Sequence, residues 1–485
     1  MSLADLLPFE PTEILIAGHW RSLPDRLPVE DPSTGETIGE ISAGGEEEVN
    51  EAVAAARKAF AGAWGATEGA ERGRILLKVA ALVRDQAQAL ARAEATDVGK
   101  PLKQALTDAA ILARYAEFYA GVADKIGGET IPFRPGYTVW TDRVPHGVTA
   151  HIVPWNYPMQ IAGRSVLASL AAGNACVLKP AEEASLTALW LARLCEKAGL
   201  PAGALNVVTG VGEKAGAALA GHPGVDHVSF TGSGPVGALV QAAAGRHAVP
   251  VSLELGGKSP QILFADADLA AALPLLVGAG IQNAGQTCSA GSRILVERSR
   301  YAEVVERMVA RYRELVAAPA LADRDLGPVI SARQKAIVLG FIERARQDGL
   351  ALAAEGKVAP DAPRGGHYVA PALFAPAPEA HELAREEIFG PVQVVIPFED
   401  EAEALRIANG TGYGLVAGVW TRDLARGLRM ARALRAGQVY LNDYGAGGGV
   451  ELPFGGFGRS GHGREKGLEA LLGLTRTRTV VAKHG

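Results

Sequence analysis

The stretch His227-Val-Ser-Phe-Thr-Gly-Ser-Gly-Pro-Val-Gly237 decides the fold that the sequence predicts, because it joins a strand-like run to a helix through a G-x-G-x-x-G pattern. Its glycines permit a tight turn, and the free N–H groups at the start of the following helix can bind a pyrophosphate. The pattern alone is a weak sign, but the strand before it and the helix after it strengthen the prediction. We therefore expect a dinucleotide-binding turn at Thr231, Gly232 and Ser233.

Strands and helices alternate on both sides of this turn, which is the pattern of a parallel sheet. The predicted strands are 148–153, 175–178, 205–208, 227–230 and 250–255, and the predicted helices between them are 158–172, 185–198 and 213–221. Open parallel sheets bind ligands beyond the carboxyl ends of their strands. Lys179 and Glu182 directly follow one of these strands, so both are candidates for ligand contacts.

Glu254 has two interpretations. It lies near the end of a predicted strand, 254 − 237 = 17 positions after the last glycine of the turn. Dinucleotide-binding folds commonly place an acidic residue about 20 positions past the glycines, where it binds the adenosine ribose. Alternatively, Glu254 is a catalytic carboxylate and the ribose is bound by Lys179 and Glu182. The sequence pattern does not choose between these roles.

A second short stretch, Gln282-Asn-Ala-Gly-Gln-Thr-Cys-Ser-Ala-Gly-Ser-Arg293, holds one cysteine among small and polar residues. Structural cysteines prefer apolar surroundings, whereas a thiol in such a loop, Cys288, is typical of a presented nucleophile. A lone intracellular cysteine is nevertheless a weak signal, so the spacing leaves an ordinary loop cysteine open. Cys176 begins a buried strand and Cys195 lies on the apolar side of a helix, and both are predicted core residues.

Composition limits the function classes. With 485 residues, 48% of them hydrophobic and 21% charged, the chain is a globular protein of two or three domains. Its formal charge is −5, from 48 basic and 53 acidic side chains without a long run of one sign, which argues against nucleic acid as the main partner. No segment is apolar enough over about 20 residues to span a membrane.

The N-terminus and the cysteines predict a cytoplasmic location. The first ten residues lack the basic region and the long apolar stretch of a secretory signal. Three cysteines cannot form a disulfide framework and fit a reducing compartment. The ten histidines are scattered, and none has metal-ligand spacing with cysteine or carboxylate partners, so no metal site is predicted.

Changes of residue composition and of hydrophobic pattern along the chain predict its domains. We assign 1–122 and 143–253 to a dinucleotide-binding domain, 254–452 to a second α/β domain, and 123–142 with 462–485 to a hairpin and C-terminal tail. The tail and the hairpin alternate in the manner of strands whose edges a monomer would leave unpaired. We therefore expect a homodimer or a homotetramer.

Five separated motifs resemble, in order and spacing, those of the NAD(P)-dependent aldehyde dehydrogenase superfamily: Pro154-Trp155-Asn156, Lys179-Pro180 with Glu182, Glu254-Leu-Gly-Gly-Lys258, Gly285-Gln-Thr-Cys288 and Glu387-Ile-Phe389-Gly-Pro391. Pro453-Phe-Gly-Gly456 and Ser460-Gly461 add to the resemblance, which covers nearly the whole chain from about Pro32. It implies an α/β fold with a Rossmann-type cofactor domain, an α/β catalytic domain and a small β oligomerisation element.

The resemblance also implies roles for single residues. Cys288 would attack the aldehyde carbon, Asn156 and the Cys288 N–H would stabilise the oxyanion, and Glu254 would activate the water that releases the acid. The cofactor would be NAD, with NADP possible. The implied cofactor residues are Trp155, Lys179, Glu182, Thr231, Gly232, Ser233, Glu387 and Phe389, with Lys179 and Glu182 on the adenosine ribose and Glu387 with Phe389 on the nicotinamide ribose.

Each site residue also has a purely structural interpretation. Asn156 is positioned to cap the helix that opens at Pro158, Glu387 to be a solvated charge beside Glu386, and Phe389 to be a core residue. The chain departs from the family at Gly458, where a lysine is common, and at Ala181, where a serine is usual.

Two other functions remain open at the level of sequence. A CoA-acylating dehydrogenase of the same superfamily would not need a water-activating carboxylate, so the presence of Glu254 counts against it. A non-catalytic nucleotide-binding protein would not need Cys288, Asn156 and Glu254 together. The substrate is not named by the sequence, although Trp155, Tyr157, Trp64 and Tyr444 are candidates to line an apolar tunnel, which favours a medium aliphatic or aromatic aldehyde.

Overall fold

The computed structural model describes residues 3–445 and 449–485, so that 1–2 and 446–448 of the predicted domains lie outside the described residues. Its strands are β1 Glu13–Ile16, β2 His19–Ser22, β3 Arg26–Asp31, β4 Glu36–Ser42, β5 Thr130–Ile131, β6 Tyr137–Pro145, β7 Val148–Val153, β8 Ala175–Pro180, β9 Leu205–Val207, β10 His227–Thr231, β11 Val251–Glu254, β12 Pro260–Leu263, β13 Arg293–Glu297, β14 Val316–Ala317, β15 Leu352–Glu355, β16 Lys357–Val358, β17 Ala372–Phe374, β18 Val392–Phe398, β19 Val416–Trp420, β20 Gln438–Leu441, β21 Gly461–His462 and β22 Thr475–Lys483.

The α-helices are α1 Leu3–Leu6, α2 Glu46–Ala61, α3 Gly69–Asp85, α4 Ala87–Val98, α5 Leu102–Val122, α6 Pro158–Ala162, α7 Ala168–Ala172, α8 Leu186–Lys197, α9 Ala217–Ala220, α10 Gly234–Gly245, α11 Leu269–Ile281, α12 Tyr301–Glu314, α13 Ala332–Gln347, α14 Glu382–Arg385, α15 Glu401–Ala408, α16 Leu424–Ala433 and α17 Gly467–Gly473. A π-helical turn, Gly163–Leu167, joins α6 to α7.

The first large sheet has eight strands in the order β2-β1-β9-β8-β7-β10-β11-β21. From β7 the chain runs outward through β8 and β9 on one side, and then through β10 and β11 on the other. The strand order therefore reverses between β7 and β10, and sheets of this kind bind ligands at such a reversal, beyond the carboxyl ends. The residues that follow β7 and those that follow β10 meet in this crevice.

The second large sheet has seven strands in the order β15-β17-β18-β13-β12-β19-β20, and only the β15–β17 pair is antiparallel. Two apolar clusters cover it, one of them around Phe374 and Phe398 and the other around Tyr312 and Trp420. A separate, larger cluster fills the first domain. The chain thus buries two large sheets in separate cores, as the predicted α/β fold requires.

Side-chain caps fix the starts of several helices in the second domain. Asp268 accepts from the N–H groups of Ala270 and Ala271 at the start of α11. Ser331, Asp400 and Asp423 cap α13, α15 and α16 in the same way. Such a cap satisfies N–H groups that have no partner inside the helix, so these short polar residues place the helix starts.

The prediction that a monomer leaves the strand edges of the hairpin and the tail unpaired is partly wrong. Strand β22 pairs antiparallel with β6 of the same chain over nine residue pairs, from Thr475 opposite Pro145 to Lys483 opposite Tyr137. Strand β5 pairs with the other side of β6, so the three strands form one small sheet. The tail therefore pairs with β6, the central strand of this small sheet, within the monomer. Only the outer sides of β5 and β22 remain as unpaired edges of the small sheet.

The tail differs from its predicted range in a second respect. Residues 461–462 form β21 at the edge of the first sheet, where His462 is opposite Leu253 and Gly461 is opposite Glu254. Of the strands in the predicted tail, only β22 belongs to the small sheet. The chain thus adds a short strand to the edge of the first sheet before it reaches the small sheet.

The alanine-rich region from Gly69 to Val98 forms two helices, α3 and α4. They meet at Gln86, whose φ of −108° and ψ of 11° break the helical geometry. Among the described helices, none is long and apolar enough to cross a lipid bilayer.

Candidate active site

A cleft of about 380 Å³ lies between the two large sheets. The first sheet contributes residues from the carboxyl ends of β7, β10 and β11, and the second contributes residues that precede β13 and β18. Nine of the sequence-predicted site residues line it: Trp155, Asn156, Thr231, Gly232, Ser233, Glu254, Cys288, Glu387 and Phe389. Residues about 230 positions apart in the sequence therefore meet at one cleft.

Cys288 is partly exposed in this cleft, whereas Cys176 and Cys195 are buried. The loop before Cys288 takes left-handed backbone angles at three successive positions, Asn283, Ala284 and Gly285. At Gly285 a Cβ would lie 2.1 Å from the Gly390 carbonyl oxygen, so only glycine fits there. This close approach explains why the loop that carries the thiol has a glycine three residues before it.

Gln286 fixes the same loop from within. Its buried side chain donates to the Asn283 carbonyl at 3.0 Å and accepts from the Ile330 N–H at 2.8 Å. A buried amide that satisfies two backbone groups cannot move without leaving them unpaired. The loop therefore holds the Cys288 thiol in one position.

The electrostatic surroundings of Cys288 act in both directions. Burial raises the pKa of the thiol, and the carboxyl groups of Glu387 and Glu254 raise it further. The Arg164 guanidinium lowers the pKa, because a nearby positive charge favours the thiolate. The thiol is thus held mainly protonated in the free protein, although two cations, Arg164 and Lys466, favour its reactive form.

Asn156 does not cap a helix. The N-cap of α6 is Tyr157, which makes no side-chain cap hydrogen bond. The Asn156 side-chain amide nitrogen instead donates to the Gln286 carbonyl at 3.0 Å, two residues before Cys288, and the Asn156 backbone carbonyl oxygen accepts from the Asn283 side-chain amide at 2.9 Å. Asn156 is therefore fixed to the nucleophile loop, and the second hydrogen of its amide remains available as a donor.

Glu254 is the last residue of β11 and is only 2% exposed, and neither of its carboxylate oxygens has a hydrogen-bond partner. Burial raises its pKa well above the ordinary value, and Glu465 raises it further, while Arg164, Arg464 and Lys466 act against them. A buried carboxyl without partners is destabilising, so its retention at this position indicates a function.

Glu387 and Phe389 form the opposite wall. Glu387 accepts from the Gly257 N–H at 3.0 Å, and burial raises its pKa to about 7, although Gly257 and Lys258 act against this. Phe389 has a φ of +54° and packs edge-on against Trp155, with ring centroids 5.3 Å apart. Neither residue is therefore a solvated charge or an ordinary core residue.

Lys179 is in the carboxyl end of β8 and Glu182 follows that strand, next to Glu183, which lines the cleft. The two side chains form an ion pair with a Nζ to Oε2 distance of 2.9 Å. Glu182 also accepts from the Gly212 N–H at 3.2 Å. Burial alone would raise the pKa of Glu182, but the Lys179 charge and these hydrogen bonds hold it below the ordinary value. This carboxylate is therefore ionised, and its oxygens face donors.

The chain matches the model of the aldehyde dehydrogenase family over residues 20–480. This chain belongs to the aldehyde dehydrogenase family. Among its relatives, a horse protein named "Aldehyde dehydrogenase, mitochondrial" is 40% identical over 478 residues, 97% of this chain and 95% of the relative. Human "Retinal dehydrogenase 2" is 40% identical over 479 residues, 97% of this chain and 92% of the relative.

Solved structures have the same fold. A Burkholderia cenocepacia relative is 60% identical with a TM-score of 0.97, over 98% of this chain and 100% of the other. The betaine aldehyde dehydrogenase of Staphylococcus aureus, in complex with NAD+, is 33% identical with a TM-score of 0.96, over 99% of this chain and 96% of the other. The aldehyde dehydrogenase fold predicted from the motifs is therefore confirmed.

A second cavity, of about 500 Å³, lies on the other side of the nucleophile loop of this aldehyde dehydrogenase. Thr287 and Ser289, which flank Cys288, line it together with Tyr444, Gln160 and Asp108. The prediction that Trp64 lines such a tunnel is wrong, because Trp64 is 1% exposed and donates to the Asn174 carbonyl inside the first domain. The cavity has both aromatic and polar walls, so it is less apolar than predicted.

The sequence reasoning missed a group of charged residues behind the cleft: Arg164, Glu465 and Lys466. All three are buried, and Arg164 pairs with Glu465. A π-helical turn, which is frequent at functional sites, carries Arg164. Charged residues in otherwise ordinary helical and loop sequence gave no signal of burial, so only the fold could identify them.

The structure accounts for one of the two departures from the family pattern. Gly458 has a φ of +59° and a Cβ there would lie 2.7 Å from the Gly412 carbonyl oxygen, so a glycine suits this loop. Ala181 is 8% exposed, and nothing in the structure explains why an alanine stands there in place of a serine. Within residues 3–445 and 449–485, no group of three or more His, Cys, Asp or Glu side chains is arranged to hold a metal ion.

Proposed function

We propose that this protein oxidises an aldehyde to the carboxylic acid with NAD as the hydride acceptor. The observation that carries the proposal is the meeting of Cys288, Asn156 and Glu254 at one cleft, together with six of the eight predicted cofactor residues. Membership of the aldehyde dehydrogenase family supports it. So do two relatives of similar fold, from Staphylococcus aureus and Bacillus cereus, whose solved structures contain NAD+.

The donors and acceptors of the cleft fit a dinucleotide. Ser233 is the N-cap of α10 and makes no side-chain cap hydrogen bond, so the first N–H groups of a 12-residue helix are available to a pyrophosphate. Glu182 and Lys179 would hold the adenosine ribose, and Glu387 the nicotinamide ribose. NAD bound in this way would accept the hydride that takes the substrate carbon from the aldehyde to the acyl oxidation level.

Cys288 begins the reaction by attacking the aldehyde carbon as the thiolate. Negative charge then develops on the substrate oxygen, and the free amide hydrogen of Asn156 and the Cys288 N–H stabilise it there. One such donor typically contributes about 3 kcal/mol to lowering the barrier. Because Asn156 is tied to the Gln286 carbonyl, its donor is already oriented before the substrate binds.

Glu254 takes the proton of the water that hydrolyses the acyl thioester on Cys288. Its oxygens have no partner in the protein, so they are available to a water molecule in the cleft. A carboxyl with a raised pKa is a stronger base once ionised and is better matched to work near neutral pH than an ordinary one. Release of the acid by water also disfavours the CoA-acylating alternative, which does not need this base.

An absorbance assay for NADH with a panel of short, aliphatic, aromatic and charged aldehydes tests the proposal. We expect NADH and the matching acid to form without CoA. A requirement for CoA, with an acyl-CoA product, would support the alternative instead. No NADH with any aldehyde would contradict the proposal.

We further propose that the protein is a homodimer or a homotetramer. Helix α10 exposes Val236 by 45% and Leu239 by 70%. The connection between β5 and β6 exposes Phe133 by 60%, and β22 exposes Val481 by 57%. Apolar side chains grouped on an exposed helix and beside sheet edges are typical of subunit interfaces. Light scattering at micromolar concentration should give a multiple of the 50.4 kDa chain mass, and a single chain mass would contradict this.

A further inference from the structure

Lys466 is a residue whose local environment is unfavourable in three ways. It has a φ of +62°, in the left-handed region that favours glycine. It is only 2% exposed. It is also the N-cap of α17, where the free N–H groups of a helix disfavour a positive charge. Strained and desolvated residues that persist in this way cluster at functional sites.

The backbone on both sides of Lys466 is fixed. Glu465 exchanges two backbone hydrogen bonds with Phe454, of 2.6 and 2.8 Å, and the Gly467 N–H donates to the Val450 carbonyl at 2.9 Å. Lys466 lies between these anchored residues, so its side chain is held in one direction. That direction is toward Phe454, whose ring centroid is 5.1 Å from the ammonium nitrogen.

Arg164 approaches the same ring from a different element. Its guanidinium carbon is 5.2 Å from the Phe454 centroid, and it pairs with Glu465. Glu465 in turn accepts from the Ser229 hydroxyl at 2.9 Å. Two cations and one carboxylate thus surround a single buried aromatic ring. One carboxylate cannot balance two cations, so this cluster carries a net positive charge when both are protonated.

This cluster lies directly against the reacting groups. Phe454 belongs to the apolar cluster on which Cys288 packs. At the next residue, Gly455, a Cβ would lie 2.7 Å from a Glu254 carboxylate oxygen. Gly461, further along the same segment, is opposite Glu254 in the sheet. The segment that carries Lys466 therefore wraps around the end of β11.

The charges around Lys466 determine whether it raises or lowers the pKa values of its neighbours. Burial lowers the pKa of Lys466 to about 7, and Arg164 also lowers it, whereas Cys288, Glu465 and Glu254 act to keep its charge. Conversely, the Lys466 ammonium lowers the pKa of both Glu254 and Cys288. Three other charged groups act on Glu254: Glu465 raises its pKa, and Arg164 and Arg464 lower it. Tyr115 of α5 faces the Arg164 and Glu465 pair.

We propose that Lys466 is a positioning residue whose ammonium group keeps the Glu254 carboxylate ionised for hydrolysis of the thioester. This inference rests on the proposed function and adds a charge partner to it. Lys466 does not touch the substrate. It acts through Glu254, so its removal changes the pH range of hydrolysis more than the maximal rate.

The test compares pH profiles in the full-length enzyme with saturating NAD and aldehyde. In Lys466→Met, which removes the charge and keeps the length, the midpoint of the acidic limb of the steady-state rate should move up by about 0.5 to 1 pH unit. The rate at pH 6 should then fall about threefold to tenfold, with a smaller change at pH 9. Lys466→Arg keeps the charge and should leave the midpoint at or below the wild-type value.

The matched control is Lys357→Met, at an exposed lysine of β16, which should leave the pH profile of the steady-state rate unchanged. If Lys466→Met does not fold, the neutral Lys466→Gln provides the same measurement. Coincident midpoints in the wild type and the neutral variant would overturn the proposal. An equal shift of the midpoint in Lys466→Arg would also overturn it. A lower rate at every pH with an unchanged midpoint would do the same, because both results indicate a structural role.

The same experiment separates this inference from the proposed function. If the wild-type enzyme forms no NADH from any aldehyde, the function itself is wrong. If NADH forms in a burst and the neutral variants keep the wild-type midpoint in the slower hydrolytic phase, only the role of Lys466 is wrong.

Discussion

The carboxylates at the two ends of the cleft differ in their hydrogen-bond partners and in the direction of their pKa shifts. At one end, Glu182 is paired with Lys179 at 2.9 Å, accepts from a backbone N–H, and has a pKa below its ordinary value. At the other end, Glu254 is more deeply buried, has no partner for either oxygen, and has a pKa well above its ordinary value. Both are glutamates at strand ends of one sheet, and their surroundings alone distinguish them.

This difference separates binding from reaction. A group that only binds a ligand can be satisfied by the protein beforehand, because the ligand's hydroxyl groups add further hydrogen bonds to the same carboxylate. A group that must accept a proton cannot be satisfied in advance, since a fixed donor would take the place of the water it activates. Unpartnered atoms and raised pKa values are therefore expected at Glu254 and not at Glu182.

The largest expected effect is at Cys288. Cys288→Ala should lower aldehyde oxidation by at least about 10⁴-fold, because the covalent bond can no longer form. NAD binding, measured by calorimetry, should stay near the wild-type value because the thiol is not a cofactor contact. Cys195→Ala, at a buried cysteine remote from the cleft, is the matched control. Full activity in Cys288→Ala would end the covalent mechanism.

Glu254→Gln should separate the two halves of the reaction. We expect a burst of NADH of about one equivalent per active site, followed by a steady rate about 10²- to 10⁴-fold lower, because hydride transfer does not need the base and hydrolysis does. Intact mass spectrometry should find an acyl group on Cys288. If Glu254 bound the adenosine ribose, the variant would show weak NAD binding and no trapped acyl group.

Asn156→Ala should act on the first half of the reaction. Removal of one oriented donor to the oxyanion should lower the burst rate about 10²- to 10³-fold. Because the amide also holds the Gln286 carbonyl, the thermal midpoint of unfolding should be measured beside the rate. Asn156→Asp, which keeps the size but not the amide donors, should be at least as slow. A normal burst rate in both variants would leave the oxyanion without this donor.

Glu182→Gln should have the smallest effect and should appear in cofactor choice. An ionised Glu182 accepts from both ribose hydroxyls but repels a 2′-phosphate, whereas Lys179 softens this preference. We expect the wild type to favour NAD over NADP, and the ratio of kcat/KM values to change about fivefold to tenfold toward NADP in the variant. Glu213→Gln, at an exposed carboxylate nearby, is the control. Equal use of both cofactors, unchanged in Glu182→Gln, would refute this role.

Local patterns predicted much of the first sheet. The strands at β7, β8, β9, β10 and β11 have the period and the turn residues expected of a parallel sheet, and each is found within a few residues of its predicted range. The N-terminal strands β1 and β2 and the central strand β12 were not predicted. Strand β12 has four residues and begins with Pro260, so it is too short for a pattern and opens with a residue that is unfavourable in strands.

The second wall of the cleft could not be placed by the rule that locates sites at the carboxyl ends of strands. Cys288 precedes β13 and Glu387 precedes β18, so both lie at amino ends of the second sheet. They meet the carboxyl ends of the first sheet because the two sheets face each other across the cleft. Motif resemblance identified these residues, but strand topology alone would have assigned them to the wrong edge.

The sequence by itself determined the chemical groups, since the cysteine loop, the strand-end glutamates and the glycine turn are local features that neighbouring residues specify. Only the tertiary structure decided their surroundings: that Glu254 is buried without partners beside Cys288, that Glu182 is paired, and that Arg164 and Lys466 lie behind the reacting groups. Burial and charge proximity depend on residues far apart in the chain. They set the pKa values, and therefore the division between the binding end and the reacting end of the cleft.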